Sequence, residues 1–537
     1  MQQSRSPFHE GLAAAERGDF ARADAIARTL LARDPNDVHA LQIVGFSAFR
    51  QGRTKEALEA FWSANRIEPG QPAILYWMGV LYKDRGDFEQ AARALREATR
   101  LNPGYEAWCH LGETLYYTAR KDEARSAFER AVAAEPNSPV VLARAARFFE
   151  ATHDLARARS HAEAAAKIDP KNEIAKIALF EVDLREKRFE DVIKGATEIL
   201  ERGSATRRNQ ARLHHIAASA HDRLGNYETA FSLYESANQL QAELDHDAAR
   251  RTPSPLHIEN LDRVIRFLSE NNISHWAEEP PFDGAAPVFL VGFVRSGTTW
   301  LDQILSSHPR AVVMEEEDNF VDIWPHLATS EAGLNKLLTL SRAEIASFRD
   351  IYWRRANQTL NASARNRLVV DKVPLNTAQL ALIHRLFPDA KILFAIRDPR
   401  DAVLSAFQQH FQINVGMLPF LDIVTAAQFY DRVMTIGSLV RRKARLDLSE
   451  VRYEALVADF ESEIRKIISF LGLEWDDAVL DYRKTAAKRA IRTPSVRQVV
   501  EKPYATSIGK WRNYREGMAS ALPILAPWVQ KFGYPAD

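Results

Sequence analysis

The residues best suited to chemistry lie in one short stretch, VGFVRSGTTWL. There Gly292, Arg295, Ser296, Gly297, Thr298 and Thr299 stand between an apolar, β-rich run and an amphipathic helical pattern. Backbone N–H groups at a helix start, the helix dipole, hydroxyls and a guanidinium can converge there on a bound phosphate. The spacing from Gly292 to Gly297 copies the GxxxxG of a nucleoside-triphosphate loop, yet Thr298 stands where such a loop has its lysine. Without that lysine the pattern argues against a magnesium-bound triphosphate. It favours an anion whose single 5′ phosphate carries the transferable group.

A second unit, RNRLVVDKVPLNTAQLALIHRLFPDAKILFAIRDPRDAVLSAFQQHF, reads as a βαβ crossover with short buried strands over 368–370 and 392–396. Lys372 closes the first strand, Arg397 the second, and Ser405 follows eight residues later on the next helix. In a parallel sheet, strand C-termini and helix N-termini gather on one edge, so Arg397 and Ser405 can join the first loop around one ligand. Three consecutive carboxylates, Glu315, Glu316 and Glu317, follow the first helix in MEEEDNF. Burial beside like charge would raise the pKa of any one of them toward a value useful for a general base.

The elements that must position these residues belong to a modular chain. At 537 residues it exceeds what one hydrophobic core supports. Lys plus Arg equals Asp plus Glu at 71 each, so no global field points to nucleic acid and any anion site must be local. A single cysteine, Cys109, rules out an intramolecular disulfide framework and a thiolate zinc cluster; it reads as a small buried hydrophobe. The polar stretch from Met1 to Asp19 lacks the apolar core of a secretory signal, and no apolar run reaches the ~18 residues of a membrane span. A cytoplasmic protein is expected.

The first half is periodic. Pro35, Pro69, Pro103, Pro136 and Pro170 recur at intervals of 33 or 34, with Gly18, Gly52 and Gly86 and then Ala23, Ala57 and Ala91 spaced alike. Each copy carries two helical patterns whose apolar stripes need the next copy for burial, and a proline that ends the second helix. This resembles the tetratricopeptide-repeat family over about five copies, with two weaker ones near 172–203 and 207–243. The array, 1–243, is expected to be an all-α solenoid that binds a protein or peptide; the plainer alternative is a packed support. Pro253, Pro255, Pro280 and Pro281 flank a helical linker over 244–285, and 286–537 is expected to form an α/β, P-loop-like domain with a parallel sheet.

From Pro287 to Tyr534 the residues resemble the sulfotransferase superfamily, nearest its tyrosylprotein sulfotransferase branch and repeat-linked bacterial relatives. The resemblance implies 3′-phosphoadenosine 5′-phosphosulfate (PAPS) as cosubstrate, without a metal. It assigns the 5′-phosphosulfate to Arg295, Ser296, Gly297, Thr298 and Thr299, and the 3′ phosphate to Arg397 and Ser405. It carries Tyr453, in RYEALV, toward the adenosine. The stretch VRQVVEKPYATSIGKWRNY resembles the loop that closes over the 3′ phosphate, which implicates Arg497, Ser507, Lys510 and Trp511. Arg295 and Lys372 become the cations on the transferring group, and the tyrosylprotein branch's glutamate falls on Glu316, with Glu315 next. His308 and His410 are lesser candidates for a base. The implied activity is sulfonate transfer to an acceptor hydroxyl, a protein tyrosine among the possibilities. The rival is a repeat scaffold with an inactive or nucleotide-sensing domain.

Overall fold

The computed structural model describes residues 6–118, 120–278, 284, 286–360, 364, 366–484 and 507–537. The chain divides into two compact units, Met1–Lys187 and Arg188–Asp537.

Among the described residues of the first unit eleven helices, from Pro7–Glu16 to Glu173–Arg185, run as successive hairpins. Asp19, Asp37, Asp87, Asp154 and Asn172 each cap a helix, accepting from the backbone N–H three residues on. The turns inside the hairpins pass through one left-handed residue: Gly18, Gly52 and Gly86, then His153 and Lys187 with φ of 64° and 63° in later copies. Gly45, Gly79 and Gly112 let paired helices approach closely, since a Cβ there would fall 2.5–2.8 Å from Leu95, Phe61 or Phe128. Cys109 is fully buried, and burial pushes its thiol up to about 11, in keeping with a packing role.

The second unit begins with the helix Phe189–Arg202 and the last hairpin, Arg207–Arg223 and Tyr227–Arg251, followed by the helix Ile258–Glu270. A five-stranded parallel sheet comes next: β1 Val288–Gly292, β2 Ala311–Glu315, β3 Leu368–Lys372, β4 Lys391–Ile396 and β5 Asp447–Arg452, in the order β2-β3-β1-β4-β5. Helices pack on both faces. Val288 and Leu290 of β1 join one core, with Ile304, Ile467 and Leu471, while Phe289 and Val291 join the other, with Tyr352, Phe394 and Tyr430. Burial on both sides explains why β1 reads as an unbroken apolar run. The chain leaves β1 toward β3 and β2 and returns to its other side as β4, so the strand order reverses at β1. Such a switch point opens a crevice at the strand C-termini.

The expected fold class holds: a helical repeat solenoid, then an α/β domain on a parallel sheet. Among the described residues, no helix is long and apolar enough to cross a membrane.

Candidate functional site

All five strands end on a residue, or run into a loop, that the sequence had singled out. Across the sheet these are Glu315 and Glu316 after β2, Lys372 closing β3, the Arg295–Thr299 loop after β1, Arg397 after β4 and Tyr453 after β5. At about 4.8 Å between neighbouring strands, they span roughly 19 Å of one sheet edge.

The loop after β1 is the centre. A Cβ on Gly292 would meet the Ala395 carbonyl oxygen at 2.5 Å, and one on Gly297 the Tyr453 ring at 2.8 Å, so both glycines permit close contact. Arg295 takes a left-handed conformation, φ 66°, that costs a non-glycine residue about 1–2 kcal/mol. The helix Thr298–Ser307 starts directly behind the loop, with Thr298 and Thr299 buried in its first turn and Ser296 buried just ahead. Its N–H groups and dipole favour an anion at that end.

The two motifs interlock. Arg295 Nε donates to Ser405 Oγ at 3.0 Å, and Arg397 Nη1 donates to the Arg295 carbonyl at 2.9 Å. Arg397 Nη2 reaches the Ser507 carbonyl at 2.7 Å, while its guanidinium lies 4.8 Å from the centre of the Tyr453 ring. Tyr453 and Ser507 share a hydroxyl–hydroxyl hydrogen bond of 3.0 Å. Burial, and secondarily the charge of Arg397, lowers Arg295 to about 10. Two adjacent guanidiniums, Arg397 buried and Arg295 half-buried, favour a negative ligand, and Arg397 Nε is a buried donor with no partner among the described residues. An anion between them fits both observations.

On the other side of β1, Lys372 is wholly buried, with Nζ 2.8 Å from Glu316 and 3.8 Å from Glu315. Burial acts to lower its pKa, but Glu316, Glu315 and Asp302 outweigh it and the net direction is up, so Lys372 is an ammonium at neutral pH. Glu315 pairs with Lys372 in the β2–β3 ladder, and the Glu316 N–H extends that ladder to the Lys372 carbonyl at 2.9 Å. Glu316 is itself left-handed, φ 53°, and keeps a carboxylate 41% exposed while that of Glu315 is buried. Glu317 is half-buried on the same turn, where its carbonyl accepts from the Asn319 N–H.

Behind this pair lies a carboxyl that sequence reasoning passed over. Asp371 is fully buried and accepts from Tyr352 Oη at 2.8 Å and Asn319 Nδ2 at 2.9 Å. Burial pushes it up to about 7, against those two donors. Its partners lie 19 and 52 residues away in sequence, so no local pattern pointed to it. Asp401 was also missed, although it sits in the RDPRD motif. Its carboxylate accepts from the N–H groups of Gly509 and Trp511, at 2.6 and 2.9 Å, and so holds the C-terminal segment beside Ser405.

Of the remaining candidates, Trp511 is buried with the Arg400 guanidinium 3.9 Å from its ring centre. Lys510 turns to Asp222 at 2.8 Å and Gln408 at 3.2 Å. His308 spends one ring nitrogen on the Glu474 carbonyl and the other on the Arg310 N–H, a structural use. His410 lies 5.2 Å from His215, ring centre to ring centre. Arg497 lies outside the described residues. Among the described residues, no group of three or more His, Cys, Asp or Glu is placed to hold a metal ion.

Residues 287–477 match the Sulfotransferase family, and residues 8–72, 78–139 and 111–173 match the Tetratricopeptide repeat. An uncharacterized protein of Aquifex aeolicus is 26% identical over 320 residues, 58% of this chain and 40% of that protein. Protein-tyrosine sulfotransferase 2 of Gallus gallus is 26% identical over 55% of this chain and 80% of its own length. The protein-tyrosine sulfotransferase of Drosophila melanogaster is 25% identical over 51% of this chain and 56% of its own length. The chain therefore carries a sulfotransferase-family domain, joined to an N-terminal tetratricopeptide-repeat array.

Proposed function

We propose that this protein transfers the sulfonate of PAPS to an acceptor hydroxyl, and that its repeats bind the acceptor or a partner protein. The observation that carries the reading is the interlock of Arg295, Ser405 and Arg397, which sets a half-buried and a buried guanidinium side by side at the helix start beside β1. In this reading Ser296, Gly297, Thr298 and Thr299 cradle the 5′ phosphate, while Arg397, Ser405 and Ser507 hold the 3′ phosphate, in a segment that also carries Lys510. Tyr453 flanks the adenosine, and Trp511 belongs with Ser507 to the loop over the 3′ phosphate.

Arg295 and Lys372 neutralise the sulfonate and the departing phosphate, which is where negative charge must be met as the bond breaks. Glu316, the more exposed carboxylate of the pair on Lys372, takes the acceptor's hydroxyl proton, and Glu315 is the second choice. The acceptor oxygen forms the new bond to sulfur as the bridging S–O bond opens. Its electron pair leaves with the phosphate as 3′-phosphoadenosine 5′-phosphate. No step calls for a metal. Two relatives are named as protein-tyrosine sulfotransferases, so a tyrosine in a protein is the first acceptor to try.

Calorimetric titration with 3′-phosphoadenosine 5′-phosphate beside ATP tests the reading. Micromolar binding of the first, lost in Arg397→Ala, with ATP much weaker, supports it. Equal or stronger ATP binding that depends on magnesium refutes it. Binding of neither leaves a repeat scaffold with an inactive domain as the better account.

A further inference from the structure

The last repeat hairpin packs on the sulfotransferase-family domain within the second unit, and its polar contacts converge on one segment. Asn238 donates to the Phe407 carbonyl at 3.0 Å, Gln241 to the Phe411 carbonyl at 2.8 Å, and Phe231 stacks on Phe407 at 5.0 Å. These fix the hairpin against the end of the helix Pro399–Phe407, which carries Ser405. Asp222, near the end of the helix Arg207–Arg223, does something different: it accepts from Lys510 Nζ at 2.8 Å and from the Tyr514 hydroxyl. Both belong to the short helix Lys510–Tyr514, directly after Ser507. Gln408 takes a second contact from Lys510 at 3.2 Å, and Tyr227 and Phe231 pack on the Tyr514 ring.

The segment from Ser507 to Tyr514 is thus held at three places by side chains remote in sequence. Arg397 and Tyr453 hold Ser507, Asp401 holds the N–H groups of Gly509 and Trp511, and Asp222 holds the far end. The first two sets belong to the site itself. The third belongs to a repeat. An ion pair with only 28% and 11% of its side chains exposed, joined by a phenol on the same carboxylate, is screened less than a surface pair and fixes direction as well as distance.

We infer that Asp222 is a positioning residue for the phosphoadenosine cosubstrate. Through Lys510 and Tyr514 it holds the Ser507–Trp511 segment against Arg397, so the last repeat helix completes the cosubstrate site. Lys510 then serves as the anchor of this segment, with its charge spent on Asp222, and the face of the segment toward Arg397 meets the ligand. The inference rests on the proposed PAPS site.

The test uses the full chain and 3′-phosphoadenosine 5′-phosphate as probe. Asp222→Asn and Lys510→Met are each expected to weaken binding about tenfold, and the double variant no further, because both remove the same contact. In the ligand-free protein, amide exchange at Gly509 and Trp511 should accelerate in Asp222→Asn. Gln241→Ala, which removes a neighbouring contact of the same hairpin, should lower the unfolding temperature without either effect. Wild-type affinity in Asp222→Asn overturns the inference, as do additive losses in the double variant or equal losses in Gln241→Ala. A wild-type protein that does not bind the probe refutes the underlying site reading instead, and unchanged amide exchange in Asp222→Asn then removes the positioning role as well.

Discussion

Replacing Asp371 with asparagine should change how stability depends on pH, by an amount the structure sets. The side chain is fully buried on β3, and burial holds its pKa at about 7 against an ordinary value of 3.8. The sign is the reverse of that for a salt-bridged carboxylate. Between pH 3.8 and 7 the folded protein keeps a proton that the unfolded chain has released, so stability falls as pH rises through that window and levels off above it. A gap of about three pH units at 1.36 kcal/mol each gives a loss of about 4 kcal/mol. Asparagine cannot ionise, and its carbonyl oxygen can still accept from Tyr352 and Asn319. The stability of Asp371→Asn relative to wild type should therefore grow by about 4 kcal/mol from pH 4 to pH 8. For a unit of roughly 350 residues this is about 5 °C in unfolding temperature. Calorimetric scans of both proteins at half-unit pH steps read it directly. Parallel curves, or a gap that narrows with pH, would mean that Asp371 is a carboxylate in the folded protein and that its burial is not the dominant influence.

Three further outcomes follow from the geometry. Glu316→Gln should cut turnover by 10²-fold or more, on the order expected for loss of a general base, while binding of 3′-phosphoadenosine 5′-phosphate stays within about twofold; an unchanged kcat moves the base to Glu315. Gly79→Ala should destabilise the repeat unit by about 1 kcal/mol despite alanine's better helix propensity, because the new Cβ would fall 2.5 Å from Leu95; a rise in Tm refutes the close-approach argument. Lys187→Gly should stabilise by about 0.5 kcal/mol, since relief of the left-handed strain exceeds the added entropy of the unfolded chain, and thermal unfolding checks the direction.

What could be read from the sequence was whatever is local or periodic. The prolines and turn glycines of the first copies gave the array its period, and the contiguous RSGTT and RDPRD runs marked the loops after β1 and β4. Of the two weaker copies, the one near 172–203 lost its turn glycine to Lys187, which takes the same left-handed conformation, as His153 does one copy earlier, so the fold persists where that cue ends. β2 and β5 were harder to read, for different reasons. β2 ends in the acidic run that drew attention as chemistry, and β5 is an edge strand of polar, half-exposed residues with no apolar run to mark it. Asp371 with Tyr352 and Asn319, and Asp222 with Lys510, join residues 19 to 288 positions apart, and only the folded chain brings them together. Lys510 illustrates the limit: its motif drew it toward a phosphate, and its ammonium points to a repeat.

Among the described residues, five non-glycines hold left-handed backbone, and two of them, Arg295 and Glu316, flank the proposed reaction centre. Glycine would sit more comfortably at both positions, so each charged side chain is carried against a thermodynamic preference of about 1–2 kcal/mol. On the transfer reading proposed above, this separates a working copy of the domain from a decaying one. Once selection for transfer lapses, drift toward stability should bring glycine or asparagine to 295 and 316 early, while the sheet and the repeats stay intact. A descendant still charged at both positions, with its backbone still strained, carries a record of continued use.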